Sequence, residues 1–381
     1  MILAAGMGKR MQSQSTKLVH NVAGRPMVRH VVEAARAAGM SRTVVVVGNQ
    51  ADEVRRAVGE TDKRIGFAYQ DSQRGTGHAV LSAEGHLLGY EGDVLILNGD
   101  LPALRPDTLH RFVDFHRASG APLSLMTAVV DVPGGYGRVI RTYNGDVSRI
   151  VEEADATVEE KAIKEINCGI YCVDTTWLWD PLKRARADNA QREIYLTDLV
   201  EILRRDGHKV AAFRHADAEE VLGVNDRREL SAATRALHRR KVLGLMKEGV
   251  TVLDPETTFV DVDVRVGQDT ILEPGVMLHT CSSASTPSCI RAPPDAETST
   301  YGKPDAAACS MPRARRSPAT IDSVPPTNRK SNTASHTARP PRVHVPVRTA
   351  SFRPSSRSCS RVSWYGLGTF QFNRSWDLTS P

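Results

Sequence analysis

Residues Leu3 to Lys17, LAAGMGKRMQSQSTK, combine a glycine-rich loop with basic side chains. Gly6 and Gly8 carry no side chain that would keep a polyphosphate away from backbone N–H groups. Arg10 and Lys17 follow them and can neutralise phosphate charge. The spacing fits neither a Walker A loop, GxxxxGK[ST], nor the dinucleotide fingerprint GxGxxG. The segment therefore predicts a phosphate-binding loop of a third kind.

A single carboxylate, Asp100, follows the apolar run of DVLILNGD. Ligands of open α/β sheets gather at the carboxyl ends of strands, and Mg²⁺ typically takes one or two carboxylate ligands from the protein. Asp100 is therefore the candidate Mg²⁺ ligand, and the alternative is a turn aspartate before Leu101 and Pro102. No Ser/His/Asp or Cys/His set for nucleophilic catalysis is evident.

The elements that must position these residues alternate up to about residue 215. Short β-branched runs predict buried strands and amphipathic segments predict helices, which is typical of an α/β fold with a Rossmann-like, mostly parallel sheet. Strands are expected at 43–48, 65–70 and 93–100. Helices are expected at 26–39, with Pro26 in the first turn and Gly39 past the end, and at 51–58 and 76–88. Asp226 to Lys247 predicts one long helix.

The charge is divided unevenly along the 381 residues. Residues 281–381 hold 14 Lys and Arg against 5 Asp and Glu, whereas residues 1–280 hold 36 against 39. The last segment also holds 13 of the 21 prolines and lacks any structural period, so we interpret 280–381 as a disordered basic tail. Its abrupt start favours an out-of-frame translation over a natural tail.

The sequence also indicates the cellular location of the protein and the redox state of its cysteines. No run of eighteen apolar residues and no secretory signal pattern occurs, which predicts a cytoplasmic protein with no membrane partner. Cys168 and Cys172 are expected to be buried thiols rather than a disulfide. Nucleic-acid binding would depend on the tail alone, which has few aromatic residues for stacking, so no nucleic-acid partner is expected.

With the segments described next, this pattern resembles the sugar-phosphate nucleotidylyltransferases, most closely the bacterial N-acetylglucosamine-1-phosphate uridylyltransferases. The resemblance covers Ile2 to about Leu278. It implies attack of a sugar-1-phosphate oxygen on the α-phosphorus of UTP, with Mg²⁺ as cofactor and pyrophosphate as leaving group. Arg10 and Lys17 would be the catalytic cations, and Asn225 in VLGVND would join Asp100 at the metal.

The resemblance also implies substrate-binding residues. Gln70, Gly75 and Thr76 of YQDSQRGTGHA would read the uracil, although Thr76 could instead be a helix N-cap. The N-acetylglucosamine-1-phosphate would be recognised from the second half of the domain, with preference over plain glucose. The substrate-binding residues implied are Leu3, Ala5, Gly6, Gly8, Gln70, Gly75, Thr76, Gly137, Glu152, Asn167 and Glu193.

Two positions depart from the family pattern. Lys9 stands where threonine is common in relatives, and Asn98 where some relatives carry tyrosine before Gly-Asp. Neither change removes a charge that the mechanism needs. In the family the phosphate loop follows a complete central strand, of which only Ile2 and Leu3 remain here, and a start codon placed too late would explain this.

The resemblance divides the chain into four parts. They are a nucleotidyltransferase domain at 1–225, a linker helix serving as an arm at 226–248, the start of a left-handed β-helix of hexapeptide repeats at 249–279, and the tail at 280–381. In bifunctional relatives the β-helix carries an acetyltransferase and forms homotrimers, so the short repeat region predicts that acetyl transfer is lost and makes trimer assembly doubtful. Two other hypotheses remain: a nucleotidylyltransferase for another sugar phosphate or nucleotide, and an inactive nucleotide-sugar binding protein.

Overall fold

A computed structural model describes residues 1–6, 8–59 and 62–280, together with the backbone of two short strands near 289 and 362. The prediction of a disordered tail falls almost entirely outside these residues. The helices are α1 Met27–Ala37, α2 Ala51–Val58, α3 Thr76–Leu81, α4 Pro106–Ser119, α5 Val158–Lys161, α6 Trp179–Lys183, α7 Asp198–Arg205, α8 Ala218–Val221 and α9 Arg227–Lys247. Short 3₁₀ turns lie at Lys9–Met11, Lys17–Val19, Glu84–His86 and Thr175–Trp177.

The strands are shorter on average than the helices. They are β1 Ile2–Ala4, β2 Asn21–Val22, β3 Arg25–Pro26, β4 Thr43–Val47, β5 Ile65–Tyr69, β6 Asp93–Asn98, β7 Leu123–Val129, β8 Arg138–Arg141, β9 Val147–Val151, β10 Glu165–Asp174, β11 Val210–His215, β12 Thr251–Val252, β13 Phe259–Val260, β14 Arg265–Val266, β15 Ile271–Leu272, β16 Val276–Leu278, β17 Cys289–Ile290 and β18 Val362–Trp364.

Within the described residues, nine strands form one mixed sheet in the order β11-β7-β10-β6-β1-β4-β5; outside this order, β8 pairs with β10, and β9 pairs with β8. The pairs β11–β7, β6–β1, β1–β4 and β4–β5 are parallel, whereas β10 runs antiparallel to both β6 and β7. The α/β fold with a mostly parallel sheet is therefore confirmed. The carboxyl ends of β1 and β6 lie side by side, which brings the phosphate loop next to Asp100.

The core lies on both faces of this sheet because successive side chains of a strand point in opposite directions. In β6, Leu97 belongs to the apolar cluster that packs against α1, while Ile96 belongs to the cluster that packs against α7. All five residues of β4 are buried, as its run of β-branched residues predicts. Cys168 and Cys172 are buried and unbridged, which confirms the cysteine prediction.

Two helix predictions need correction. Pro26 is the N-cap residue of α1 and not part of its first turn, because its extended φ and ψ already pair it with β2. The helix expected at 76–88 ends at Leu81, and a 3₁₀ turn follows that contains Gly85, a poor helix former.

The long helix expected from Asp226 to Lys247 is present as α9, with Asp226 as its N-cap. Its end packs Val242 and Leu245 against the valines and leucines of 250–278. In that segment β12 pairs in parallel with β15, and β13 with β16, at separations of 20 and 18 residues. The assignment of this segment to a left-handed β-helix stays a prediction, as do the domain boundaries. In the part of the chain that the structure describes, no helix is long and apolar enough to cross a membrane.

Candidate active site

Three separate parts of the chain meet at one ammonium group. The Lys17 Nζ atom lies 2.5 Å from Asp100 Oδ2 and 3.0 Å from Asn225 Oδ1, and both Lys17 and Asp100 have only 14% of their side chains exposed. Lys17 ends the phosphate loop after β1, Asp100 follows β6, and Asn225 precedes α9. The fold therefore unites the predicted catalytic lysine with both predicted metal ligands.

The two carboxylate oxygens of Asp100 differ in their hydrogen bonding. Its Oδ1 atom is buried and lacks a hydrogen-bond partner, and such an orphaned acceptor is costly to bury. A divalent cation would satisfy it, since hard cations prefer carboxylate and amide oxygens. The residues thus fit an Mg²⁺ ion. Among the described residues, no three His, Cys, Asp or Glu side chains cluster as a metal site.

The backbone around Asp100 and Asn225 is tightly fixed. The carbonyl of Asp100 accepts the N–H of Val224 at 2.9 Å, and an added Cβ at Gly223 would lie 3.3 Å from Asp100 Oδ1. The N–H of Asn225 donates to Glu229 Oε2 at 2.6 Å, while the N–H of Glu229 donates to Asp226 Oδ1. The first turn of α9 therefore holds Asn225 in place.

Gly8 is required by the position of Lys17. Its φ of +60° is unfavourable for other residues, and an added Cβ would lie 2.7 Å from Lys17 Cβ. Gly6 is exposed, with no atom near its missing side chain. The backbone carbonyls of Leu3 and Ala5 accept hydrogen bonds from within the protein. Leu3 O accepts the N–H of Gly99 at 2.9 Å, and Ala5 O accepts from Gln73 Nε2 at 2.6 Å.

Arg10 does not join Lys17 at Asp100. Its side chain is exposed, and its Nη1 atom lies near the backbone of Gly135, 3.4 Å from where a Cβ would stand. The two predicted catalytic cations therefore contact different parts of the chain. Lys17 faces the metal ligands, and Arg10 faces the loop before β8.

The predicted uracil-reading residues surround the start of α3. Gln70 is buried, and its Nε2 atom lies 3.1 Å from both Gly75 O and His78 Nδ1. Gly75 has a φ of +102° and is the N-cap residue, so the alternative of Thr76 as N-cap is wrong. The Thr76 hydroxyl instead accepts the N–H of Leu196 at 2.9 Å.

Gly75 also has a packing role. An added Cβ would lie 2.4 Å from the carbonyl of Ile194 and 2.9 Å from the Cβ of Glu193. Glu193 thus lies beside the predicted base site, and its backbone N–H is held by Asn189 Oδ1 at 3.1 Å. The roles of these residues in substrate binding stay predictions.

Three predicted sugar-binding residues lie together. An added Cβ at Gly137 would stand 3.3 Å from Glu152 Oε2, and the carbonyl of Gly137 accepts the N–H of Asn167 at 2.9 Å. Burial raises the pKa of Glu152, whose Oε1 accepts the Thr197 hydroxyl at 3.2 Å. Asn167 donates from Nδ2 to the Tyr171 hydroxyl at 2.7 Å, where the β10–β7 register shifts.

A comparison with protein families identifies the domain that contains these residues. Residues 1–252 match the model of the MobA-like NTP transferase domain. The chain belongs to the MobA-like NTP transferase family. This domain spans the whole sheet and all the residues that converge on Lys17.

Individual relatives in this family are close in sequence. The chain is 50% identical over 277 residues to Bifunctional protein GlmU of Geobacter metallireducens and 48% identical over 278 residues to the GlmU of Caldanaerobacter subterraneus subsp. tengcongensis. In each case the match covers 73% of this chain, and the chain spans 58% and 60% of the two relatives.

A solved structure shares the NTP transferase fold. UDP-glucose pyrophosphorylase complexed with UDP-glucose superposes with a TM-score of 0.51, covering 63% of this chain and 97% of that protein. At 17% identity the likeness concerns the fold alone.

Sequence reasoning missed three residues near the site of this NTP transferase domain. Glu229 fixes Asn225, and the Asp226-x-x-Glu229 spacing, a pattern typical of helix starts, could have indicated it. Arg138 and Glu153 support the loop that contacts Arg10. None of the three could be located from composition.

The fold also assembles a serine, a histidine and an aspartate. His116 Nδ1 lies 2.8 Å from Ser124 Oγ, and its Nε2 lies 3.4 Å from Asp93 Oδ1. Ser124 is fully buried at the back of the sheet, so no substrate reaches its hydroxyl. This set stabilises the packing of α4 on β7 and gives no support to nucleophilic catalysis.

Proposed function

We propose that this chain transfers UMP from UTP to N-acetylglucosamine-1-phosphate, forming UDP-N-acetylglucosamine and releasing pyrophosphate. The convergence of Lys17, Asp100 and Asn225 at the end of the phosphate loop is the observation that carries the proposal. The sequence identity of about half to GlmU proteins supports the choice of substrates. A cytoplasmic location stays a prediction.

The transfer needs little covalent chemistry from the protein. A phosphate oxygen of the sugar-1-phosphate attacks the α-phosphorus of UTP, and the bond from that phosphorus to the pyrophosphate oxygen breaks. The attacking oxygen is already anionic, so no general base is needed. Positioning and charge neutralisation therefore account for most of the catalysis.

The charges come from the residues around the phosphate loop. Lys17 and Arg10 supply positive charge to the transferring group, and the loop at Gly6 and Gly8 leaves room for phosphate oxygens. Asp100 and Asn225 would hold Mg²⁺, which supplies further charge neutralisation when bound. The orphaned Oδ1 of Asp100 supports this assignment.

Recognition of the two substrates is divided between the halves of the domain. Gln70 and the start of α3 would read the uracil, with Leu3 and Ala5 beside the nucleoside. Gly137, Glu152 and Asn167 would contact the sugar, and Glu193 is a further candidate.

A pyrophosphate-release assay tests this function. The full chain is incubated with MgCl₂, one of UTP, dTTP, ATP or GTP, and either N-acetylglucosamine-1-phosphate or glucose-1-phosphate. We expect turnover with UTP and N-acetylglucosamine-1-phosphate at an efficiency about 100-fold above that of every other pair, because a site built around specific hydrogen bonds rejects analogues strongly.

Other outcomes of the assay would contradict the proposal. Faster turnover with another pair would assign another nucleotidylyltransferase. Binding of UDP-N-acetylglucosamine without any turnover would make the chain an inactive nucleotide-sugar binding protein.

A further inference from the structure

The loop at 133–137, which we call the 133–137 loop, touches two parts of the candidate site. Gly135 lies against the guanidinium of Arg10, and Gly137 lies against the carboxylate of Glu152. The loop contains a turn in which the Tyr136 N–H donates to Pro133 O at 3.2 Å, and Gly135 has a φ of +83°. Its position therefore affects both the phosphate side and the sugar side of the site.

A buried arginine lies directly behind this loop. Arg138 is 1% exposed, the largest of the fully buried side chains in the described residues. Its Nη1 donates to the carbonyl of Tyr136, and its Nη2 donates to Glu153 Oε2 at 2.6 Å. The same Glu153 oxygen accepts the N–H of Gly135 at 3.3 Å. Glu153 and Arg138 thus hold two adjacent residues in the middle of the loop, Gly135 and Tyr136.

Loss of Glu153 would destabilise the buried charge of Arg138. Arg138 Nε is buried without a hydrogen-bond partner, so its guanidinium depends on the Glu153 carboxylate and on backbone carbonyls. A buried charge that loses its counter-ion is strongly destabilised and moves toward water. The hydrogen bond from Arg138 also holds the pKa of Glu153 below its usual range, which keeps the carboxylate charged.

We propose that the Arg138–Glu153 ion pair is a positioning clamp that holds the 133–137 loop against Arg10 and Glu152 in the geometry that the sugar-1-phosphate requires. The clamp acts through the loop and touches no substrate itself. This inference rests on the proposed function for the identity of the ligand. It makes sugar recognition depend partly on Arg138 and Glu153, which are not among the residues predicted to contact the substrates.

Substitution of the more exposed partner gives the cleanest test. Glu153 is 38% exposed, so Glu153→Ala removes the counter-ion with less risk to folding than any change at Arg138. Glu153→Gln is the conservative variant, since its amide oxygen can still accept the Gly135 N–H. Glu165→Gln is the matched control because it weakens a second arginine–glutamate pair, Arg141–Glu165 at 2.6 Å, which does not contact the loop.

Two measurements on the full chain separate the clamp from the proposed function. Calorimetry with UDP-N-acetylglucosamine and with UDP should show about tenfold weaker binding of the sugar nucleotide in Glu153→Ala, because misplacement of a recognition loop is costly. The loss for UDP should be smaller, since UDP lacks the sugar that would lie beside Gly137 and Glu152. Glu153→Gln should lie between Glu153→Ala and the unmodified chain, and Glu165→Gln should bind as the unmodified chain does. Hydrogen exchange without ligand should show faster exchange across 133–137 in Glu153→Ala, a smaller increase in Glu153→Gln and none in Glu165→Gln.

Unchanged exchange across the loop in Glu153→Ala would overturn the clamp, whatever the chain binds. Equal weakening of UDP and UDP-N-acetylglucosamine would also overturn it. If the unmodified chain binds neither nucleotide, the proposed function fails, and the exchange measurement still decides whether the pair holds the loop.

Discussion

At the residue scale, the ion pair between Lys17 and Asp100 sets the chemistry of the site. A lysine this poorly exposed is held by its counter-ion, and the second oxygen of that counter-ion stays free for a cation. One carboxylate therefore orients the lysine through Oδ2 while Oδ1 remains available. Asn225 adds a neutral acceptor that holds the ammonium without cancelling its charge.

Gly8 provides a residue-scale prediction about Lys17. In Gly8→Ala the new methyl group would collide with the lysine stem and push the ammonium away from Asp100. We expect uridylyl transfer to fall by about 100-fold, the loss typical when a catalytic charge is misplaced by about 1 Å. Steady-state kinetics of pyrophosphate release measures the effect.

The control for Gly8→Ala is Gly120→Ala at the end of α4. Gly120 has nearly the same φ, +61°, but no atom lies near its missing side chain. This variant should lose about 1 kcal/mol of stability from backbone strain and keep its activity. Equal activity in the two variants would mean that the Gly8–Lys17 contact does not matter.

Helices and strands could be predicted from the sequence where one local pattern decided the structure. The burial of β4 follows from its β-branched run, and the end of α1 before Gly39 follows from a glycine close by in the chain. The predicted start of α1 at Pro26 is one position too early. The position of Asp100 at the end of β6 could be predicted for the same reason. Helix length was less predictable, since α3 ended early and docked on 193–196 through the Thr76 hydroxyl.

Contacts between distant elements could not be predicted from pattern. Asn167 lies beside Gly137 because β10 pairs with β8 at Ile166 and Arg138, and β9 and α5 separate these two strands in the chain. The meeting of Lys17 with Asn225 joins residues 208 positions apart, and only the family resemblance connected Asn225 with the site. Arg138 is charged, so composition alone assigns it to the surface, whereas the fold buries it.

At the scale of the whole molecule, the segment 249–280 packs on the hairpin β2–β3 that follows the phosphate loop. Arg25 donates from Nε to Asp263 at 2.7 Å, and the N–H of Val262 donates to Ala23 O at 3.1 Å. His30 of α1 lies beneath the same hairpin, with Nε2 2.7 Å from Val22 O. The two ends of the described chain therefore stabilise one another.

His30 makes this packing sensitive to pH. Burial, aided by the nearby Arg25, lowers the pKa of His30 to about 4, although the Val22 carbonyl and Asp263 oppose the shift. The folded state binds the proton more weakly than the unfolded chain, so acid favours unfolding. The contribution is complete above about pH 6.5 and is lost toward pH 4, at most roughly 3 kcal/mol.

Urea unfolding at pH 7 and pH 5 measures this contribution. The denaturation midpoint of the unmodified chain should fall on acidification, and His30→Gln should show a smaller fall because its side chain takes up no proton. The comparison of the two proteins cancels the titration of surface carboxylates. An identical fall in both would exclude His30 as the source.

If Asp100 holds the metal ion and orients Lys17, the transfer of UMP requires its carboxylate. Pyrophosphate release by Asp100→Ala measures this requirement. With UTP, N-acetylglucosamine-1-phosphate and MgCl₂, we expect the unmodified chain to turn over and Asp100→Ala to be slower by about 100-fold or more, since preorganised charges supply much of the rate. Asp114→Ala, which removes an exposed aspartate of α4, should retain full activity. A rate in Asp100→Ala equal to that of the unmodified chain would contradict the account.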